Sequence, residues 1–323
     1  MSKRSKKPRP TKSRSNPQRR RRNVKHAPTT YILETGTLAE MKGAKKRTER
    51  FLKYHWDFNT ELLQQRRQIE DELKQTLNEN CLHDFEFQGW QRAVKYKYSL
   101  HPLSTIGSLF DPGGRFNIGD VNPAAFPQFP ALYIAMDKKT AFAEALGQDK
   151  DEDSELSAFD FALCKPQSET IVSVSGNLEQ VFDLRSSSYL RKFTNLIKGF
   201  RFSENIYKQA NALGIDPPEI IKTPGQLQKS LLDENWRSEP MLYDIPANSQ
   251  FFGHLIYLSS IEGIIYPSKM TGADCLAIFP RNFRNTSSFI QMDDEPPNDT
   301  VPTRIDADTW RLCEMSFEEL SRD

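Results

Sequence analysis

Between residues 37 and 79 the apolar positions Leu62, Leu63, Ile69, Leu73 and Leu77 return at the three- and four-residue spacing of one helix face, among many charges. The spacing predicts an amphipathic helical region whose stripe packs on a neighbouring domain, because too few heptads are sustained for a coiled coil. Phe51, Tyr54, Trp56 and Phe58 fall in the same stretch and join that packing. After Trp90 the period changes. "AVKYKYSLHPL" alternates as a strand does, "FDPGGRFNIG" (110–119) is a glycine turn, and "ALYIAM" (131–136) is a short buried strand. Asp137 follows as an N-cap for the helix "KKTAFAEALGQ". Strands are predicted at 156–163 and 169–175, and helices near 186–199, 203–213 and 225–235. A helix over "SQFFGHLIYLSSIEG" leads into two buried strands, "GIIYPS" and "DCLAIFP", and an acidic, Pro-rich surface loop spans Met292 to Pro302. Strands and helices mingle without regular βα alternation and without a GxGxxG after a strand. The class is therefore α+β rather than a doubly wound nucleotide fold.

Composition changes this picture at the N-terminus. Hydrophobic residues make up 37% of 323 positions, enough for one large or two modest domains, and the formal charge is +1. Residues 1–30 hold twelve Lys or Arg and no Asp or Glu, which leaves the remainder with 32 basic and 43 acidic residues, a charge of −11. Such a single-sign, Pro-containing segment is expected to be a disordered tail. It serves either phosphate attraction, to nucleic acid or an acidic partner, or solubility alone; it has no aromatics on which bases could stack. Cys81, Cys164, Cys275 and Cys313 lie far apart with no CxxC pair, so neither a zinc site nor a disulfide framework is expected. Cys81 with His83 lacks a second pair, and a packed thiol is the reading; no metal is expected. With no apolar run of about 18 residues and no hydrophobic leader, a soluble, cytoplasmic protein without membrane contact is expected.

Candidate chemistry gathers at four places. Arg115 stands directly behind Gly113 and Gly114, with Asn117 two residues on, in a turn whose glycines permit positive φ and close approach. Glu144 is the one charge in "TAFAEALG", where short side chains let the helix lie close to a neighbour, so its carboxylate is either partly desolvated and in need of a partner or simply outward-facing. Tyr133 alternates to the face opposite Leu132 and Ile134, lining a cleft or packing in the core. Ser268 follows a buried strand behind Pro267, and no G-x-S-x-G elbow marks it as a hydrolase nucleophile. His101 and His254 have no partners identifiable from the sequence and are read as structural.

In order and spacing, "GGRFNIG", "ALYIA", "TAFAEALG" and "EGIIYPS" resemble the signature blocks of the RES domain family, named for its Arg, Glu and Ser. The resemblance implies a curved mixed sheet with flanking helices, similar to the ADP-ribosyltransferases, preceded here by the helical region. It also implies an enzyme that degrades NAD⁺ at the nicotinamide–ribose bond, by hydrolysis or phosphorolysis, with no cofactor beyond NAD⁺ as substrate. Members are typically toxins of toxin–antitoxin pairs, silenced by a partner with an Xre-type helix-turn-helix domain, and a homo-oligomer is implied. Carried onto this chain, Arg115, Glu144 and Ser268 are the expected catalytic residues. Arg115, Tyr133, Gly113, Gly114, Asn117 and Ser268 are expected to bind the dinucleotide, with Arg115 holding its anionic part, Tyr133 stacking on a ring, and Ser268 bonding the ligand or Arg115. Residues 1–30 then form the tail, 31–84 the helical region and 85–323 the RES domain, with an insertion at about 148–236. Two alternatives stand beside this reading: an ADP-ribosyltransferase acting on a macromolecule, and a nucleic-acid-binding protein led by the tail.

Overall fold

Two fifteen-residue strands, β1 (Cys81–Lys95) and β3 (Glu169–Asp183), pair antiparallel from Cys81↔Phe182 to Lys95↔Glu169 and organise everything around them. The computed structural model describes residues 38–110, 112–146 and 169–322. On β3 alternate residues Val172, Val174, Gly176 and Leu178 are buried, the period-two pattern of a strand with one face on a core. On β1 the buried set switches from Phe87 to Trp90, Arg92 and Val94. A β-bulge between Phe87 and Trp90 causes the switch, with Gly89 at φ +67° and its N–H donating to Ser175 Oγ at 3.1 Å.

Three short strands, β2 (Leu132–Ala135), β4 (Gly263–Pro267) and β5 (Asp274–Ile278), complete a five-stranded barrel in the order β1-β2-β5-β4-β3, closed because β3 returns to β1. β3 and β4 run parallel, while the other barrel pairs are antiparallel. Closure satisfies the backbone groups that an open edge would leave unpaired. β6 (Phe289–Met292) and β7 (Arg304–Ile305) extend outward from β3.

The helices are α1 (Leu38–Gln68), α2 (Glu70–Asn78), α3 (Lys138–Leu146), α4 (Arg191–Ile197), α5 (Glu204–Leu213), α6 (Pro224–Leu231), α7 (Ser238–Tyr243), α8 (Asn248–Leu258) and α9 (Phe317–Leu320). The chain divides into two units, 1–48 and 49–323, and the second contains the whole barrel. Strand alternation splits the core of this second unit. Leu132, Ile134, Ile265, Leu276 and Ile278 enter one cluster, whereas Ala135, Ile264, Tyr266 and Ala277 enter another, joined by Leu73 and Leu77 of α2 and Phe252 and Ile256 of α8. Burying side chains such as Leu73 and Leu77 stabilises by about 1.5–3 kcal/mol each. A third cluster joins Tyr54 on α1 to Phe202, Ile206, Ala210 and Leu213, with Phe51 and Phe58 packed against it.

The predicted helical region is present as α1 and α2, and Leu62, Ile69, Leu73 and Leu77 of its stripe pack into the core of this unit. Other expectations need correction. The strand placed after Trp90, from Ala93, begins twelve residues earlier, at Cys81, and ends at Lys95, where Tyr96–Tyr98 form a 3₁₀ turn. Its first half exposes His83, Asp84 and Glu86, which hides the alternation. The boundary set at residue 85 consequently falls inside β1. The segment set aside as an insertion, 148–236, supplies β3, a barrel strand paired on both sides, together with α4, α5 and α6. The tail 1–30, the strand at 156–163 and Cys164 lie outside the described residues. Cys81 donates from Sγ to the Leu77 carbonyl at 3.3 Å, and burial pushes its thiol up to about 12. Among the described residues no helix is long and apolar enough to cross a membrane.

Candidate active site

The glycine turn is built around one buried side chain, Asn117. Its Oδ1 accepts from Gly114 N–H at 2.8 Å and from Tyr133 Oη at 2.9 Å, and its Nδ2 donates to the carbonyls of Ser108 at 2.8 Å and Phe129 at 3.0 Å. Both hydrogens and both lone pairs of the amide are thus used, so the side chain has one orientation. Gly113 sits at φ +92°, and a Cβ there would lie 2.5 Å from Gly119 N and 2.6 Å from the Asn117 carbonyl. At Gly114 a Cβ would lie 2.4 Å from Cζ of Tyr133. The close approach that the two glycines announced is therefore made by the protein's own backbone and by the Tyr133 ring.

From beneath, α8 holds this turn in place. Gln250 Nε2 lies 2.9 Å from the Pro112 carbonyl, 3.1 Å from that of Gly114 and 2.9 Å from that of Asn117. Gly253 brings α8 so near that an added Cβ would stand 2.1 Å from the Phe116 carbonyl oxygen. Sequence reasoning missed both residues, although a glycine within a predicted helix is the signal of such contact.

Arg115 is half-buried, and its Nη1 donates to the Asp233 carbonyl at 2.6 Å. Tyr133 projects from β2 on the face opposite Leu132 and Ile134; its hydroxyl donates to Asn117 and accepts from Phe116 N–H at 3.0 Å. Burial pushes its phenol well above the ordinary tyrosine value, against the pull of that N–H and of Arg115 and Arg237. At working pH it is a neutral donor whose hydrogen is already committed.

Glu144 lies on α3, whose first turn is capped as the sequence predicts, with Thr140 N–H and Oγ1 donating to Asp137 at 2.9 and 2.8 Å. Ser268 stands just beyond β4, 4% exposed, where its Oγ accepts from the N–H groups of Met270 at 3.1 Å and Thr271 at 3.3 Å. Those two donors leave the hydroxyl hydrogen to point at Glu144, and Ser268 Oγ donates to Oε1 at 2.5 Å. Ser268 thus bonds neither Arg115 nor the cavity directly: it is absent from the cavity wall and acts behind the glutamate.

One cavity of about 730 Å³ brings the motif residues together, with Gly113, Gly114, Arg115, Tyr133 and Glu144 in its walls. That volume lies within the roughly 300–1,000 Å³ typical of small-molecule sites. Its lining adds Trp236 and Arg237, which sequence reasoning did not single out; a tryptophan beside an arginine carries no local signature of a site. Asn117 supports the turn from behind. His101 is buried with Nε2 2.9 Å from the Leu312 carbonyl, and His254 packs beside Phe129, both away from the cavity wall. Among the described residues no cluster of three or more His, Cys, Asp or Glu could hold a metal ion. Chemically, the cavity presents a cationic planar fork and an oriented carboxylate to one ligand.

No curated protein matches this sequence. Among solved structures, a chain of the crystal structure of the M. tuberculosis MbcT-MbcA toxin-antitoxin complex is similar over 75% of this chain and 96% of its own, with 13% sequence identity and a TM-score of 0.41. The family model of the RES domain matches residues 90–300, a span that runs from Trp90 on β1 past β6 and contains the whole cavity lining. With most of its length accounted for by that one model, the chain belongs to the RES domain family.

Proposed function

We propose that this chain degrades NAD⁺ by cleaving the nicotinamide–ribose N-glycosidic bond, with water or phosphate as acceptor, on an ADP-ribosyltransferase-like scaffold. The observation that carries the proposal is the placing of Arg115 and of the Ser268-oriented Glu144 in the wall of one ligand-sized cavity. When the C1′–N bond breaks, its electron pair leaves with nicotinamide, which departs neutral and needs no proton. Positive charge grows instead on the ribose as oxocarbenium character. A fixed carboxylate beside the sugar stabilises that charge more than an acid would, and removing a single such group commonly costs a factor of about 10² to 10³ in rate. Glu144 is suited to this task because Ser268 holds one of its oxygens in place. Arg115 offers paired hydrogen bonds to phosphate. Since the Tyr133 hydroxyl is committed to Asn117, Tyr133 offers the ligand its ring.

In the cell this activity fits a toxin that an Xre-type helix-turn-helix partner keeps silent, acting as a homo-oligomer and using no cofactor beyond NAD⁺ itself. Incubation with labelled NAD⁺, with and without phosphate, tests the reading. Free ADP-ribose or ADP-ribose 1″-phosphate is expected from the wild type and is lost in Arg115→Ala and Glu144→Ala. Label on protein would mark ADP-ribosyl transfer instead. Intact NAD⁺ after prolonged incubation with the wild type would sink the proposal and favour a binding role led by the N-terminal tail.

A further inference from the structure

Residues 233–237 bring to the cavity three groups outside the four motif residues, Glu234, Trp236 and Arg237. Arg115 reaches this segment through its bond to the Asp233 carbonyl, which ties the glycine turn to it. Trp236 is buried, and it forms part of the wall. The Arg237 guanidinium lies 4.5 Å from the Trp236 ring centroid, and that of Arg115 lies 5.9 Å from it. Arg237 is exposed and makes no hydrogen bond or ion pair with any described residue, and Arg115 and Glu144 both lie near enough to act on its charge, in opposite senses. The lining as a whole contains six cationic residues, Arg92, Lys95, Lys97, Arg115, Arg237 and Lys269, against the acidic Glu144, Glu169 and Glu234.

Arg115 and Arg237 carry like charge beside one indole, and a ligand with two adjacent negative charges can satisfy both. Cation–π attraction to the indole positions Arg237 without consuming its N–H donors, while Arg115 is held by its bond to the Asp233 carbonyl. We infer that Arg237 and Arg115, seated on Trp236, form a clamp for the diphosphate of the dinucleotide, and that Arg237 selects dinucleotides over nicotinamide nucleosides. The inference rests on the NAD⁺ reading of this cavity and names the part of the ligand that the second arginine grips.

Two measurements test it on the full chain. In steady-state kinetics, Arg237→Gln raises KM for NAD⁺ roughly 10- to 100-fold, the loss of charge-assisted phosphate bonds, with kcat little changed. Nicotinamide riboside, which lacks phosphate, is cleaved equally by both proteins, and Arg237→Lys falls between them because it keeps the charge and loses the fork. Separately, calorimetric titration of ADP-ribose into Glu144→Gln protein, with and without Arg237→Gln, gives the same fold-loss in affinity without turnover. An unchanged KM for NAD⁺, an equal penalty on nicotinamide riboside, or ADP-ribose affinity indifferent to Arg237 overturns the clamp. If the wild type leaves NAD⁺ intact while ADP-ribose affinity depends on Arg237, the catalytic reading fails and the clamp stands.

Discussion

Adding one methyl group at Gly114 tests how tightly the site is built. Gly114 does not occupy the left-handed region, so alanine is conformationally acceptable there. The obstacle is the Tyr133 ring, whose Cζ and Oη would lie 2.4 Å from the new Cβ and whose Cε2 would lie 2.5 Å away. That ring cannot retreat without breaking its bonds to Asn117 Oδ1 and Phe116 N–H, and Asn117 is itself fixed by Gly114, Ser108 and Phe129. Overpacking of this kind costs about 1–3 kcal/mol. With Tyr133→Ala already in place the three nearest obstacles are gone, and a Gly→Ala change at a compatible conformation gains about 0.4–1 kcal/mol through the unfolded chain. The substitution is thus expected to change sign between backgrounds, with a coupling energy of about 1.5–4 kcal/mol. Urea denaturation of the four proteins of the cycle, followed by circular dichroism, measures it. An equal cost of Gly114→Ala with and without the tyrosine ring would refute the account of the turn.

Three more substitutions probe the site and its supports. Ser268→Ala removes the donor to Glu144 Oε1, and kcat for NAD⁺ cleavage should fall at least about 10-fold with KM little moved; an unaltered kcat argues against an orienting role. Arg92 donates to the carbonyls of Pro102, Ser104 and Tyr133 at 2.7, 2.6 and 3.1 Å, so Arg92→Leu strands three acceptors and should destabilise by about 3 kcal/mol or more, read in urea. His55 stacks on Tyr243 at 3.6 Å, and burial lowers its pKa from about 6.5 to about 4. Its neutral ring contributes stability that is complete above pH 6.5 and is lost as pH falls toward 4. His55→Phe keeps the stack and should lose less Tm than the wild type between pH 7 and pH 4.5; parallel losses would show that His55 does not titrate in this way.

The parts legible in the sequence are those fixed by local pattern. Asp137 as a cap, the α1–α2 stripe, the β4 and β5 runs and the opposed faces of Leu132 and Tyr133 all follow from spacing and alternation. The β1 strand is not legible over its first half because Gly89 and the bulge change which residues face inward, and His83, Asp84 and Glu86 are exposed before Phe87. β3 reads as part of an insertion because pairing with β1, from Lys95↔Glu169 to Cys81↔Phe182, is too distant in sequence to leave a mark in the local pattern. Within the site, the motif blocks lead to Arg115, Tyr133 and Glu144, yet the partner of Ser268 depends on a contact spanning 124 residues. Trp236 and Arg237 sit in a stretch whose polar composition is that of any surface turn, and the cavity they help to form exists after the chain has folded back on itself.

The Ser268–Glu144 bond also sets an order in time. A ribosome releases Glu144 long before Ser268, and until β4 has docked between β3 and β5 the serine hydroxyl is not in place to hold the carboxylate. Nascent and truncated chains that stop short of β4 accordingly carry Glu144 without the hydroxyl that orients it. The site is therefore completed late, when the last barrel strands seal the sheet, although most of its lining residues come earlier in the chain.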